Sequence, residues 1–298
     1  MKNHVEGMLL GMVGVLAFSI TLPATRVAVP QLGAPFVGFG RGLVAGLLAL
    51  LVALVMRERL PDRRYWKGIA IVSFGVTIVF PLFSAFALRT LPSAHSAVVV
   101  GLLPAATAVM AVLLAGERPR LPFWIASGAG VVAVLAFAAV EGAGRPQVAD
   151  LLLLIAVLGG AVGYAEGGRL ARAIGGFRVI LWALIFCIPV LALPVGWILA
   201  TSGVPHGTPA AWLWFGWVAL ISQFLAFLPW YRSLVLAGIA YTSQLQLAQP
   251  VLTLGWSVII LGEHVSALTV AAALFVIACT AATQWTRPPN TEVLAAEG

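Results

Sequence analysis

Thr242, Gln246, Gln249 and Thr253 fall at i, i+4, i+7 and i+11 of one apolar stretch, which places all four on a single helical face. Amides and hydroxyls donate and accept hydrogen bonds without net charge, so together they can hold both the ammonium and the carboxylate of a zwitterion. In hydrocarbon an unpaired amide is costly, so this face must look at protein or at a watery cavity. Two roles are open to it: the lining of a substrate cavity, or polar glue between packed helices. Pro250 lies in the same stretch and frees the carbonyl four residues back, that of Gln246, as a ligand or a hinge point.

Other groups repeat the pattern. Thr77, Pro81, Ser84 and Leu88 share one face of an earlier stretch, and Gln223, Phe227, Trp230 and Leu234 share a face of a later one. Phe227 and Trp230 can stack on a substrate ring or simply pack. Glu166 can relay protons, as acids within a membrane often do, or pair with Arg169 three residues on, which is the structural role we expect. Arg41 can snorkel outward, pair with a helix terminus or face a cavity. Gly159, Gly160, Gly163, Gly167 and Gly168 form a doubled small-residue ridge that lets a neighbouring helix approach closely. Enzyme signatures are missing. His4, His95, His206 and His264 are scattered, and no GxxxxGK[ST] loop is present, so neither a metal, a cofactor nor ATP-driven pumping is expected. Cys187 and Cys279 read as small apolar fillers.

The elements that must position these residues follow from composition. Of the 298 residues, 61% are hydrophobic and 9% charged. Soluble chains run at about 45–50% apolar and about 25% charged, so a large water-soluble enzyme is excluded. Ten apolar runs are long enough to cross a bilayer, at about 8–29, 34–56, 66–88, 92–115, 121–140, 150–172, 177–200, 210–236, 240–262 and 266–286. None alternates with period two, which excludes a barrel. The first run reads as an uncleaved helix, and 287–298 as a disordered tail. With ten spans both termini lie on one side. That side carries thirteen of the Lys and Arg residues, among them Arg57, Arg59, Arg63, Arg64 and Lys67, against Arg26, Arg89 and Arg145 on the other. The bias places both termini in the cytoplasm of a bacterial inner membrane and accounts for the net charge of +7 without a nucleic-acid partner.

Sliding the chain along itself by 146 residues superposes Pro104 on Pro250, Thr107 on Thr253, Gly116 on Gly262 and Glu117 on Glu263. Helix four thus matches helix nine, and residues 1–145 match 146–286 as two five-helix repeats. Five is odd, so the second copy enters the membrane from the opposite side. Inverted repeats are a recurring plan of secondary transporters, with the substrate near the midplane between them. Pro81, Gly101, Pro104, Pro229 and Pro250 are the hinges about which two such halves can rock. The counterparts of the helix-nine face are Ser96, Val100, Leu103 and Thr107, so a polar wall faces a more apolar one. Glu117 and Glu263, closing helices four and nine, are expected to cap the short turn and the helix that follows each.

Two inverted five-helix repeats with short loops, and a Pro-then-Gly-Glu signature ending the fourth helix of each, resemble the drug/metabolite transporter superfamily, EamA-type. Within it the chain resembles the YddG group of amino-acid exporters. The resemblance implies an all-α integral membrane fold: ten transmembrane helices in two inverted repeats around a central cavity lined by helices 1, 3, 4, 6, 8 and 9. It implies export of apolar and aromatic amino acids by alternating access, and it brings Tyr164 of helix six to the cavity as a gate or binding residue. Arg41 also fits the family pattern. The expected site therefore comprises Gln246, Gln249, Thr242, Thr253, Tyr164, Leu103, Thr77, Ser84 and Trp230, with Glu166 and Arg41 as charge sites. The expected partners are a small-molecule substrate and the lipid bilayer; the sequence leaves the oligomeric state open, a monomer being one option. Rival functions are a drug or organic-cation exporter, which would want an acid in the cavity, a membrane lipid enzyme and a scaffold.

Overall fold

The computed structural model describes residues 2–115, 120–141, 147–236 and 245–286. Thr242, Gly116, Glu117 and the tail after Thr286 lie outside the described residues. A chain this apolar can satisfy its backbone in lipid only by closing every hydrogen bond within a segment, and the described residues are helical throughout their apolar runs. Ten helices result: α1 (Val5–Leu32), α2 (Ala34–Val55), α3 (Arg63–Ala87), α4 (Ser93–Leu114), α5 (Leu121–Phe137), α6 (Val148–Ile174), α7 (Gly176–Ser202), α8 (Pro209–Ser233), α9 (Gln246–Leu261) and α10 (Ala267–Thr283). Seven are long enough to span a bilayer outright, and α5, α9 and α10 are shorter apolar helices. Large apolar side chains such as Leu54, Leu193, Trp197 and Ile259 stand on the outside of the bundle, where lipid rather than water covers them.

The two halves mirror one another in local geometry and in packing. The turn from α1 to α2 passes through Gly33 at φ 82°, ψ 139°, and the turn from α6 to α7 through Gly175 at φ 85°, ψ 138°. Both need a positive φ that glycine takes without strain. In α3 a π-helical turn covers Ser73–Val79, and in α8 another covers Trp217–Leu225. Their last residues, 79 and 225, differ by 146, the offset of the sequence repeat. Proline follows each, Pro81 and Pro229, and the wider turn absorbs the hydrogen bond that proline cannot donate. Between the halves α2 packs on α7, α4 on α9 and α5 on α10, while α1 packs on α8 as α6 does on α3. Exchanging the halves maps this set of partners onto itself. Five helices per half make the second copy run opposite to the first.

Helix breaks fall where the five hinge candidates lie. Helix α4 stops at Val100, turns at Gly101 and restarts at Leu103 with Pro104 in its new first turn. Among the described residues of α9 a 3-10 turn, Gln246–Ala248, precedes the α-helical part that begins at Gln249. Pro250 therefore sits in the first turn of that α-helical part, where a missing N–H is tolerated. The Gln246 carbonyl is not freed: it accepts the N–H of Gln249. Helix α1 breaks at Ser19–Ile20, just ahead of Pro23, which has no N–H to donate to the Ser19 carbonyl four residues back.

The end of the bundle opposite the basic loops is tied by polar contacts. Both carboxylate oxygens of Glu263 accept hydrogen bonds, at 2.8 Å, from the first N–H groups of α4, those of Ser93 and Ala94. Glu263 thus crosses to α4 and does not cap the helix that follows it. Ser257 Oγ bonds Ser93 Oγ at 3.1 Å, and His95 Nε2 meets Asp150 of α6 at 2.6 Å. Asp150 also accepts the Gln147 N–H, closing a capping box at the start of α6.

Candidate functional site

Two adjoining chambers lie at the middle of the bundle, between the halves. The first is bordered by Arg41, Tyr164, Gln223, Phe227, Leu103 and Gln249, with Phe18, Leu22 and Phe80 closing it. The second is bordered by Gln246, Gln249, Pro250, Thr253, Gly101 and Pro104. Leu22, Val100, Leu103 and Gln249 border both. Their volumes are about 30 Å³ and 10 Å³, room for the centres of one or two waters and no more. Helices α1, α3, α4, α6, α8 and α9 line this space as expected, and α2 joins them through Arg41 and α10 through Ile277.

The helix-nine face divides between the two roles open to it. Gln246 and Gln249 border the chambers. Thr253 also borders one, but its hydroxyl is spoken for: it bonds the carbonyl of Gln249 and the Ser19 carbonyl, both at 2.9 Å. Trp256 Nε1 adds a bond to Ser19 Oγ at 2.9 Å. Thr253 and Trp256 thus bridge α9 to the kink of α1, where a broken helix exposes carbonyls that need partners. Position in the stripe told the two glutamines and the threonine alike to face inward, and only the kink of α1 separates their roles.

Thr77, Ser84 and Trp230 border neither chamber. Thr77 is buried against Gly42 of α2, Ser84 Oγ turns back to the Phe80 carbonyl of its own helix at 2.6 Å, and Trp230 packs edge-on to Phe18. Phe227, in contrast, does border the first chamber, with its ring edge-on to Phe18 at 4.9 Å and to Tyr164 at 6.3 Å. Glu166 forms an ion pair with Arg169, the two oxygens accepting at 2.5 and 2.9 Å, and sits against Gly68 of α3. That is the structural role expected of it. The glycine ridge of α6 works as expected too. Gly159 faces Val79, Gly163 faces Val76 and Gly75, and Gly160 faces Phe80 and Leu103, whereas Gly168 faces open space.

Arg41 neither snorkels outward nor pairs with a helix terminus. It is 3% exposed, its Nε donates to Gln223 Oε1 at 3.0 Å, and its Nη1 has no hydrogen-bond partner among the described residues. Gln223 is fixed in turn by its own amide nitrogen, which donates to the Val76 carbonyl at 3.3 Å. Thr21 Oγ1 and Ser222 Oγ, 2.6 Å apart, pin α1 to α8 at the same level. Gln223 was visible in the sequence as the counterpart of Thr77. Nothing in the sequence paired it with an arginine 182 residues away.

Comparison with known proteins agrees with this architecture. The model of the EamA-like transporter family matches residues 5–139 and again 147–283. A Bacillus subtilis (strain 168) protein described as an uncharacterized transporter, YdeK, is 42% identical over 283 residues, which is 95% of this chain and 98% of that one. A crystal structure of a protein 17% identical in sequence has the same fold, with a TM-score of 0.62 over 95% of this chain and 98% of that one.

Proposed function

This chain belongs to the EamA-like transporter family, and on that premise we propose that it exports small amphipathic metabolites from the cytoplasm, apolar and aromatic amino acids first. The chain is a transporter of the drug/metabolite type, set in a lipid bilayer, and not an enzyme. The observation that carries the substrate class is Gln249, an amide-bearing residue that borders both central chambers together with the apolar Leu22, Val100 and Leu103. One amide-bearing wall and one hydrocarbon wall suit a molecule with a polar end and an apolar body. An organic cation is disfavoured, because none of the described residues bordering either chamber is acidic.

Transport proceeds by alternating access. With room for only a water or two, the chambers must widen before substrate enters, and the helix breaks at Gly101–Leu102 and Ala248–Gln249 lie at their edge. The halves rock about those breaks and about Pro81 and Pro229. In this reading the basic end of the bundle faces the cytoplasm of a bacterial inner membrane, which the bias of Lys and Arg toward that end supports. Gradients set the direction of net flux.

Counterflow in proteoliposomes tests this. Vesicles loaded with unlabelled leucine are expected to accumulate labelled leucine and phenylalanine. Gln249→Leu, which deletes the amide without emptying the wall, is expected to raise KM about tenfold, the equivalent of one lost hydrogen bond. Exchange of an organic cation with none of any amino acid would overturn the assignment.

A further inference from the structure

We infer that Arg41 is the substrate's anion anchor, and that the protein accordingly selects molecules with a free carboxylate on an apolar body. This rests on the placement of the substrate in the central chambers and names the group that the site reads.

Arg41 is the eighth residue of its helix, about 10 Å below the helix start at a rise of roughly 1.5 Å per residue. A guanidinium this deep in a membrane bundle is expensive unless it has a counter-ion or a function. No counter-ion is at hand among the described residues. Glu6 lies nearest Arg232, Glu58 pairs with Arg178, Asp62 with Arg64 and Glu166 with Arg169. Asp150 is held by His95, and Glu263 by the start of α4. Every acidic side chain whose surroundings are described is thus engaged elsewhere, and Arg41 has only the neutral oxygen of Gln223.

That neutral contact is selective in what it occupies. Gln223 takes Nε and leaves Nη1 without a partner, while its own amide nitrogen is held by the Val76 carbonyl. The guanidinium is therefore oriented but not saturated. Its planar fork matches a carboxylate in two parallel hydrogen bonds, stronger than neutral ones and stronger still in a site from which water is excluded. Phe18, Leu22, Phe80 and Leu103 border the same chamber and offer hydrocarbon to the rest of the molecule. Tyr164 and Gln249 border it too and supply neutral acceptors for an ammonium group. A buried arginine opposed by no acid also repels cations, which adds discrimination against amines.

The test is competition against labelled leucine counterflow by the full-length chain in proteoliposomes. Competitors are unlabelled leucine, leucinamide, leucine methyl ester and isoamylamine, which keep the apolar body and remove the carboxylate. Wild-type protein is expected to accept leucine at least about 100-fold better than any of the three. Arg41→Gln is expected to raise the leucine KM about 100-fold and to leave weak competition by leucinamide unchanged, collapsing the preference. Arg41→Lys keeps the charge without the fork and is expected to fall between. Leucine exchange with equal competition by leucinamide, or an Arg41→Gln protein that keeps the wild-type preference, would overturn the anchor and leave the amino-acid assignment standing. Absence of exchange with any amino acid would overturn that assignment, and the anchor with it. The wild-type competition needs no variant, so misfolding of Arg41→Gln would not decide the matter.

Discussion

Gly75→Val is expected to destabilise the bundle by more than about 3 kcal/mol and to leave little folded protein in the membrane. A Cβ placed at Gly75 would fall within van der Waals contact of the Gly159 carbonyl oxygen and lie 3.0 Å from the Gly163 nitrogen. Both are backbone atoms of α6, and neither can rotate aside as a side chain would. From the other side, a Cβ on Gly163 would lie 3.1 Å from the Val76 nitrogen. Helices α3 and α6 therefore meet backbone to backbone, and a side chain at 75 must part them. Since Val76 and Phe80 of α3 and Tyr164 of α6 border the first chamber, the same change would also open the site. Gly168→Ala on the same ridge is the control: a Cβ there meets nothing within 4 Å, and a small gain from helix propensity is expected. The yield of monodisperse protein in detergent and its resistance to heating distinguish the two variants.

Glu263→Ala is expected to cost about 2 kcal/mol, read as lowered resistance to unfolding in detergent. The alanine removes two charge-assisted hydrogen bonds at once and leaves the first N–H groups of α4 without their acceptor. It also removes a negative charge from a helix start, where the helix dipole favours one. Glu263→Gln keeps one acceptor and should fall between wild type and alanine. The loss should be local: the bonds from Ser257 to Ser93 and from Asp150 to His95 still tie α4 to α9 and α6 at that end.

How far the chain discloses this arrangement depends on whether the deciding partner is near in sequence. The ten spans, the 146-residue repeat, the ion pair of Glu166 with Arg169 and the glycine ridge of α6 were all legible. Each rests on local composition or on a spacing within one helix, and the repeat rests on a comparison of the chain with itself. Contacts between distant helices were not. Periodicity put Glu263 at the end of α9 but could not say that its carboxylate reaches α4, 170 residues earlier. It put Pro250 within an apolar run but not in the first turn of an α-helical part, because the 3-10 turn before it has no sequence mark. The kink at Ser19–Ile20 is marked by Pro23, but nothing near it in sequence says that Thr253 of α9 bonds the Ser19 carbonyl so freed. For Arg41 the sequence offered three environments. The choice among them depends on Gln223 of the other repeat, which packing alone brings within 3.0 Å. The candidate site is thus half legible: Gln246, Gln249, Leu103, Tyr164 and Arg41 were named by spacing, symmetry or family likeness, whereas the pairing of Arg41 with Gln223 and the bordering Phe18, Leu22 and Phe80 needed the fold.

Substrate protection of a single cysteine tests the central claim, that the space between Arg41 and Gln249 holds the substrate and opens to one side at a time. Leu103 borders both chambers, while the buried Cys187 and Cys279 can be replaced by serine to give a silent background. In that background Leu103→Cys is expected to react with an impermeant thiol reagent added from either face of the membrane, and saturating leucine should slow the reaction several-fold. Reaction at a rate that leucine does not change, in a protein that still exchanges leucine, would contradict it.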